Sequence, residues 1–185
     1  YYIQDASIID EIRKDNKDYV SQLAFLSEEG FPFYHNTGFE YYAPCENGFD
    51  EMLKELKKAE KYIFMEYFII EEGIMFNSIL SILEEKVKQG VEVRIMYDDM
   101  GSLGTLPASY AKQLEKKGIK AVSFNRISPI INTIMNHRDH RKILVIDGRV
   151  AFSGGANLAD EYINKKMKYG HWMDNIICVK GKAVW

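Results

Sequence analysis

The chain has 185 residues, of which 46% are hydrophobic and 28% charged, and its formal net charge is −3. This length and composition are typical of one soluble globular domain with a sizeable core. The acidic total speaks against a general polyanion binder, although it is compatible with a local basic groove. The most hydrophobic run, YIFMEYFII, is too short to span a bilayer and has Glu66 at its centre.

The amino-terminal part is predicted to be a helical and aromatic extension. Residues 5–28 carry apolar side chains at helical spacing, which predicts one or two helices. The aromatic, turn-rich stretch GFPFYHNTGFEYYAPCENG then predicts a short hairpin and a loop. We therefore separate residues 1–40 from a main domain over residues 41–185.

Helices and strands alternate in the next part of the chain. They are predicted at 49–61 (helix), 62–70 (strand), 74–90 (helix), 91–99 (strand), 106–118 (helix) and 119–124 (strand). This alternation predicts a parallel sheet covered by helices. The pattern then changes to two short apolar runs around Asp147-Gly148, which is typical of a β-hairpin. The segment DNIICVKG supplies a last strand.

The first strand of this hairpin carries two polar side chains that share a face. His140 and Lys142 lie two residues apart, so both leave the sheet on the same side. A two-residue turn would be Gly148-Arg149 or Asp147-Gly148. In either register the numbers of paired residues have an odd sum.

An odd sum of paired residue numbers determines which residues of the second strand lie on the same face of the sheet as His140. It places three of them on the histidine face, namely Ser153, Gly155 and Asn157. An imidazole, an ammonium and a carboxamide beside a glycine suit a tetrahedral oxyanion such as a phosphate. Asp147 has the opposite parity, so we expect it to support the turn and not to touch a substrate.

Other interpretations of this segment stay open. By spacing alone, a His-x-Lys pair on a strand is most often a solvated face. A metal site would use His137, Asp139 and His140, but the odd-numbered side chains point away from His140 if the segment is extended. We therefore expect no metal. A bulge at Gly154-Gly155 would shift the outer pairing of the hairpin.

The stretch HRKILVIDGRVAFSGGAN resembles the phospholipase D superfamily pattern, in the spacing of His140, Lys142, Asp147, the glycine pair and Asn157. More narrowly, KYIFMEYFII, GVEVRIMYDDMGS, NHRDHRKILVIDG and GHWMDNI resemble bacterial cardiolipin synthases. The resemblance implies an α/β fold with a phospholipase D-like mixed sheet, built from parallel βαβ units and a C-terminal antiparallel hairpin and flanked by helices. Residues 41–185 would then be a catalytic half-domain that is truncated at its C-terminus.

The resemblance also implies a reaction. By this resemblance, His140, Lys142 and Asp147 would be the catalytic residues of the motif, and the reaction would be a two-step phosphatidyl transfer without metal or cofactor. His140 would attack the phosphodiester and form a phosphohistidine, while Lys142 and Asn157 bind the phosphate oxygens. In a cardiolipin synthase the reaction joins two phosphatidylglycerol molecules and releases glycerol.

Two further positions follow from the same resemblance, and a third, Glu66, is a candidate because of its own place in the sequence. By position, Asp174 in WMDN is the acidic residue that orients the nucleophilic histidine, and a surface carboxylate at a strand start is the alternative. The family often has serine where this chain has Gly155, so that hydroxyl contact is absent. Glu66, in an apolar strand, either lines the same cleft or forms a structural ion pair.

The chain departs from the family in having one such motif where the family's site uses two. The second half-site is therefore expected from the same longer chain or from a homodimer, and the fragment alone is expected to be inactive. The expected partners are phosphatidylglycerol or another anionic phospholipid and the membrane surface, with no nucleic acid. The full-length protein would lie at the bacterial cell membrane, although this chain has no transmembrane segment. A homodimeric phosphodiesterase, nuclease or phospholipase D is the alternative.

The segment RISPIINTIMN, just before the motif, is unusually apolar for a loop. It is predicted to line the acyl-chain entrance or to touch the bilayer, and an ordinary buried segment is the alternative. The apolar residues concerned are Ile127, Ile130, Ile131, Ile134 and Met135.

Overall fold

Seven strands form one mixed sheet in the computed structural model, which describes residues 6–127 and 136–184. They are β1 Thr37–Tyr42, β2 Tyr62–Tyr67, β3 Glu92–Asp98, β4 Lys120–Phe124, β5 Lys142–Ile146, β6 Val150–Gly154 and β7 Ile176–Gly181. Their spatial order is β1-β7-β6-β5-β2-β3-β4. Strands β2, β3 and β4 are parallel, and all other neighbours are antiparallel.

The described part of the chain contains five α-helices. They are α1 Ala6–Asp15, α2 Val20–Glu28, α3 Cys45–Lys57, α4 Ile74–Lys88 and α5 Tyr110–Glu115. Helices α4 and α5 make the crossovers that parallel strands require, from β2 to β3 and from β3 to β4. Gly90, with φ +88°, follows the last turn of α4 in the left-handed conformation that ends many helices. None of these helices combines the length and hydrophobicity needed to cross a bilayer.

The core lies on one face of the sheet. In β2, Ile63, Met65 and Tyr67 are buried, whereas the side chains that alternate with them are only half-buried. The buried side chains of the strands share one apolar cluster with those of α3 and α4. The opposite face of the sheet is therefore partly open in the described residues.

The predicted α/β fold with a mixed sheet is confirmed, and three local predictions are wrong. The stretch after residue 30 forms the single edge strand β1, which pairs with β7 and is not a hairpin. Helix α3 begins at Cys45, and β2 ends at Tyr67 instead of Ile70. Strand β1 begins before residue 41, and the division of the chain at that residue stays a prediction.

Most of the segment predicted to meet acyl chains lies outside the described residues, including Ile130, Ile131, Ile134 and Met135. Ile127 is half-buried, and its N–H donates to Asp99 Oδ2 at 2.9 Å. The membrane contact of this segment stays a prediction.

Candidate active site

The β5–β6 hairpin has a three-residue turn. Ile146 pairs with Val150 and Ile143 pairs with Ser153, so the paired numbers have an even sum. Both predicted registers are therefore wrong. Because one extra residue in the turn exchanges the two faces of a strand, Ser153 leaves the sheet on the side opposite Lys142. The prediction that Ser153 joins the histidine face is also wrong.

A bend after β6 nevertheless brings the next polar residue to the site. Gly154 has φ +151°, and a Cβ at this position would lie 2.3 Å from the carbonyl oxygen of Asn175. The chain then crosses the end of β5 and reaches the end of β2, where Leu158 forms a bridge with Ile70. Asn157 enters the site through this crossing and not through strand alternation.

Lys142 places a buried amine at the start of β5. The residue is 6% exposed, and its Nζ donates to the carbonyl oxygen of His140 at 2.6 Å. Burial lowers the pKa of Lys142, and the negative charge of Asp174 partly opposes this shift. An ammonium held in a poorly hydrated position interacts more strongly with an arriving anion than a solvated one does.

The imidazole of His140 lies at the surface beside this amine. Its ring packs edge-on against Phe68, with 4.7 Å between ring centroids, and Nζ of Lys142 lies 5.3 Å from the centre of the same ring. Phe68 comes directly after β2, so one aromatic ring contacts both groups. Sequence reasoning missed Phe68 because the apolar run in which it occurs was interpreted as a strand that continues to Ile70.

Asn157 is held by two hydrogen bonds at the end of β2. Its Oδ1 accepts from the N–H of Ile69 at 3.0 Å, and its Nδ2 donates to the hydroxyl of Tyr162 at 2.7 Å. The side chain is almost completely buried. Tyr162, which sequence reasoning also missed, therefore fixes the orientation of this carboxamide.

Gly155 allows a carboxylate to approach the site closely. A Cβ at residue 155 would lie 2.0 Å from Oδ1 of Asp174. That oxygen accepts from the N–H of Asn175 at 2.8 Å, and Oδ2 accepts from Trp172 Nε1 at 3.3 Å. Among the described residues, no hydrogen bond joins Asp174 to the imidazole of His140, so the orienting role of Asp174 stays a prediction.

Asp147 lies at the other end of β5. Its carboxylate accepts from the backbone N–H groups of Glu60, Lys61 and Tyr62 at 2.8–2.9 Å. Burial alone would raise the pKa of Asp147, but these three donors outweigh it and hold the pKa below its usual value. The five residues of β5 span roughly 16 Å, and the carboxylate lies beyond the end of this strand that is farther from His140. Asp147 therefore supports the turn at the end of β5 away from His140, and the catalytic role that the resemblance gives it stays a prediction.

Glu66 belongs to a charged cluster on the open face of the sheet. Nε of Arg141 lies 3.0 Å from Glu66 Oε1 and 3.0 Å from Asp139 Oδ1, and it donates its hydrogen to Asp139. Burial and the neighbouring carboxyl of Asp139 raise the pKa of Glu66 to about 7, against the opposing charge of Arg141. Glu66 also lines a groove of about 760 Å³ on this face. Of the two alternatives for Glu66, the structure shows the ion pair.

The residues considered for a metal site are used in other ways. Asp139 is buried and bonded to Arg141, and His137 is exposed. Within residues 6–127 and 136–184, no three histidine, cysteine or acidic side chains are grouped as metal ligands would be.

Sequence comparisons connect this site to a known family. The family described as cardiolipin synthase, PLD-like domain, matches residues 52–181. A cardiolipin synthase of Oceanobacillus iheyensis is 38% identical over 170 residues, which are 92% of this chain and 35% of that protein. A Streptococcus mutans protein named only as uncharacterized is 50% identical over the whole chain, which covers 40% of it. The chain thus spans less than half the length of these relatives.

Solved structures share the fold at low sequence identity. NucT from Helicobacter pylori has a TM-score of 0.60 at 13% identity, covering 80% of this chain and 88% of NucT. The phospholipase D family member Nuc of Salmonella typhimurium has a TM-score of 0.58 at 19% identity, covering 79% and 84%. A phosphatidylserine synthase of Haemophilus influenzae has a TM-score of 0.59 at 17% identity, and the match covers 78% of this chain and 33% of that protein. The family model, which matches more than half of the chain, shows that the chain belongs to the cardiolipin synthase family of phospholipase D-like domains.

Proposed function

We propose that this chain supplies one half of the active site of a cardiolipin synthase, and that His140 is its nucleophile. The observation that carries the proposal is the contact of one ring, that of Phe68, with both the imidazole of His140 and the amine of Lys142. This contact supports the proposal, because an imidazole that could act as nucleophile and an ammonium that could bind a phosphate lie beside the same ring.

The proposed reaction has two displacements at one phosphorus. In the first, an imidazole nitrogen of His140 attacks phosphatidylglycerol, the P–O bond to the glycerol headgroup breaks, and glycerol leaves with a proton from a general acid. In the second, a headgroup hydroxyl of another phosphatidylglycerol loses its proton and attacks the phosphorus. The P–N bond then breaks, and cardiolipin is released from the free imidazole.

Lys142 and Asn157 would act on the phosphoryl oxygens. Each displacement builds negative charge on the non-bridging oxygens, and the half-desolvated ammonium of Lys142 is a strong donor for it. Asn157 uses one Nδ2 hydrogen for Tyr162. Its second Nδ2 hydrogen, which has no acceptor among the described residues, would serve the phosphate.

The general acid would come from a second motif. The sequence-related proteins are more than twice as long as this chain, which favours a second half-domain in the same polypeptide over a homodimer. Because both substrates are membrane lipids, the complete enzyme would work at the bacterial cell membrane.

The full-length protein should convert phosphatidylglycerol to cardiolipin and glycerol in the presence of EDTA. His140→Asn should lower this rate by at least about 10³-fold, since it removes the nucleophile. His137→Asn is the matched control, because it makes the same change at an exposed histidine three residues away, and it should leave the rate unchanged.

A second measurement isolates the covalent step. Labelled glycerol should exchange into phosphatidylglycerol, because the phosphohistidine returns to substrate when glycerol attacks it. His140→Asn should abolish this exchange and His137→Asn should not. Cardiolipin formation that survived His140→Asn, or that stopped on chelation, would contradict the proposed mechanism.

A further inference from the structure

The loop of residues 164–173 exposes apolar side chains to solvent. Met167 is 84% exposed, Tyr169 77% and Met173 87%. Methionine is usually a buried residue that fills gaps in a core. Two methionines and a tyrosine thus expose apolar surface along this loop, and nothing in the described part of the chain covers them.

This loop is closed at its base. Asn164, with φ +53°, donates from Nδ2 to the carbonyl oxygen of Trp172 at 3.0 Å and accepts from the Trp172 N–H at 2.7 Å. The indole of Trp172 packs against the ring of Tyr162, with 4.9 Å between centroids. The two ends of the loop are thus fixed together, in the manner of an Ω-loop, and its tip points outwards.

The charge of the loop is opposite to that of the whole chain. Between residues 165 and 173 there are three lysines and one histidine and no acidic residue, whereas the chain has a net charge of −3. Lys166 and Lys168 pair with Glu71 and Glu161 at the base of the loop, but their side chains remain 50% and 37% exposed. Exposed apolar side chains with lysines around them are typical of segments that bind anionic lipid surfaces.

The loop also adjoins the candidate active site. Trp172 Nε1 donates to Asp174 at 3.3 Å. Between the loop and β1 there is a cleft of about 440 Å³, lined by Tyr41, His171, Met173 and Asp174 among others. A lipid that lay against the loop would therefore have its headgroup close to the carboxylate beside Gly155.

We propose that the 164–173 loop is a membrane-docking surface. Met167 and Tyr169 would insert between the headgroups of an anionic bilayer while the lysines meet lipid phosphates. The proposal rests on the proposed function, because a bilayer is the source of phosphatidylglycerol. A nucleic acid fits this surface less well, because the two more exposed side chains, Met167 and Met173, offer no ring on which a base could stack, whereas Tyr169 offers one.

The first test measures insertion at a single residue of the full-length protein. Met167→Cys is labelled with an environment-sensitive fluorophore, in a background without cysteines outside residues 1–185. Cys45 and Cys178 are buried, and burial raises their pKa to about 12 and about 11, so they should stay unlabelled. The matched control is Gln89→Cys, at an exposed position between α4 and β3.

The label at residue 167 should shift to the blue with phosphatidylglycerol vesicles and should be quenched by lipids that carry a spin label near the headgroup. It should respond little to phosphatidylcholine vesicles, and the label at residue 89 should respond to neither. The proposal would be overturned if the label at residue 167 kept a water-like emission with all vesicles, or if its emission were already shifted to the blue without vesicles. A blue shift caused by single-stranded DNA and not by lipid would also overturn it.

The second test separates docking from chemistry. The double variant Met167→Ser/Tyr169→Ser should turn over vesicle-bound phosphatidylglycerol about tenfold more slowly. Its turnover of a short-chain phosphatidylglycerol, dissolved as single molecules, should equal that of the unchanged protein. An equal loss on both substrates would contradict docking. If the unchanged protein turned over neither substrate, the proposed function would fail, and the fluorescence result would still decide the docking.

Discussion

The two ends of β5 carry residues of one motif and differ in how their polar groups are satisfied. At the turn, the carboxylate of Asp147 is saturated by three fixed backbone donors. At the other end, the imidazole of His140 is exposed, and the buried amine of Lys142 has only a backbone carbonyl as its hydrogen-bond partner within the described residues. A polar group whose hydrogen bonds are all made within the protein stabilises the fold. A polar group with donors or acceptors still unused can bind a ligand.

Of the substitutions at the two ends of β5, the one at Lys142 should have the largest effect, and this effect should be on turnover. Lys142→Met keeps the length of the side chain and removes the ammonium, so phosphatidylglycerol turnover should fall by about 10²–10³-fold. Thermal stability should stay equal or rise, because burial disfavours the charged amine.

Lys88→Met, at the exposed end of α4, is the control for this measurement and should change neither quantity. If turnover fell only in proportion to the loss of folded protein, Lys142 would belong to the scaffold like Asp147.

The second effect concerns the turn end and should appear in stability. Asp147→Asn tolerates the positive φ of this residue but loses the charge and one acceptor oxygen. The free energy of unfolding at pH 7 should fall by about 2–3 kcal/mol, as expected for hydrogen bonds to a charged group. Activity per folded molecule should be retained, and Asp50→Asn, at an exposed position of α3, should change neither quantity.

The pH dependence gives the sign of this second effect. The folded protein lowers the pKa of Asp147, so its stabilisation is complete above the unfolded value of 3.8 and is lost as the pH falls through the folded pKa. The difference between Asp147→Asn and the unchanged protein should therefore shrink below pH 3.8 in chemical denaturation. A difference that stayed constant down to pH 2 would contradict the carboxylate's role.

The smallest effect is a pH-dependent change in the stability of the folded protein, and it is expected at Glu66. The pKa of Glu66 is raised from 4.5 to about 7, so the unchanged protein loses stability as the pH rises from 4.5 to 7. Glu66→Gln mimics the protonated form and should stabilise the protein above pH 7 by about 1–2 kcal/mol, with no gain at pH 4. The groups facing Glu66 are Asp139 and Arg141, and Arg94, Glu115 and Lys120 line the same groove.

Glu115→Gln is the control for removing one negative charge from this groove, because Glu115 lines the same groove at an exposed position. It should show no such pH-dependent gain. Equal stabilisation by Glu66→Gln at pH 4 and pH 8 would contradict the raised pKa of Glu66.

The sequence predicted the sheet because periodicity alone decides which segments are strands and which are crossover helices. It could not predict the hairpin register, since an Asp-Gly pair permits turns of two or three residues and one residue exchanges the faces. Asn157 reached the site by a bend at Gly154 and not by the alternation used to predict it. The contact of Phe68 with His140, and the pair between Glu66 and Arg141, depend on how β2 lies against β5, which no local pattern contains.

Strand β2 has a parallel neighbour on one side and an antiparallel neighbour on the other. The carboxyl end of β2 and the amino end of β5 therefore lie side by side at the same end of the sheet. The connection that leaves β2 and the connection that enters β5 meet there. Insertions in these connections can change the loops around His140 and Phe68 while the hydrogen-bonded strands beneath stay in register.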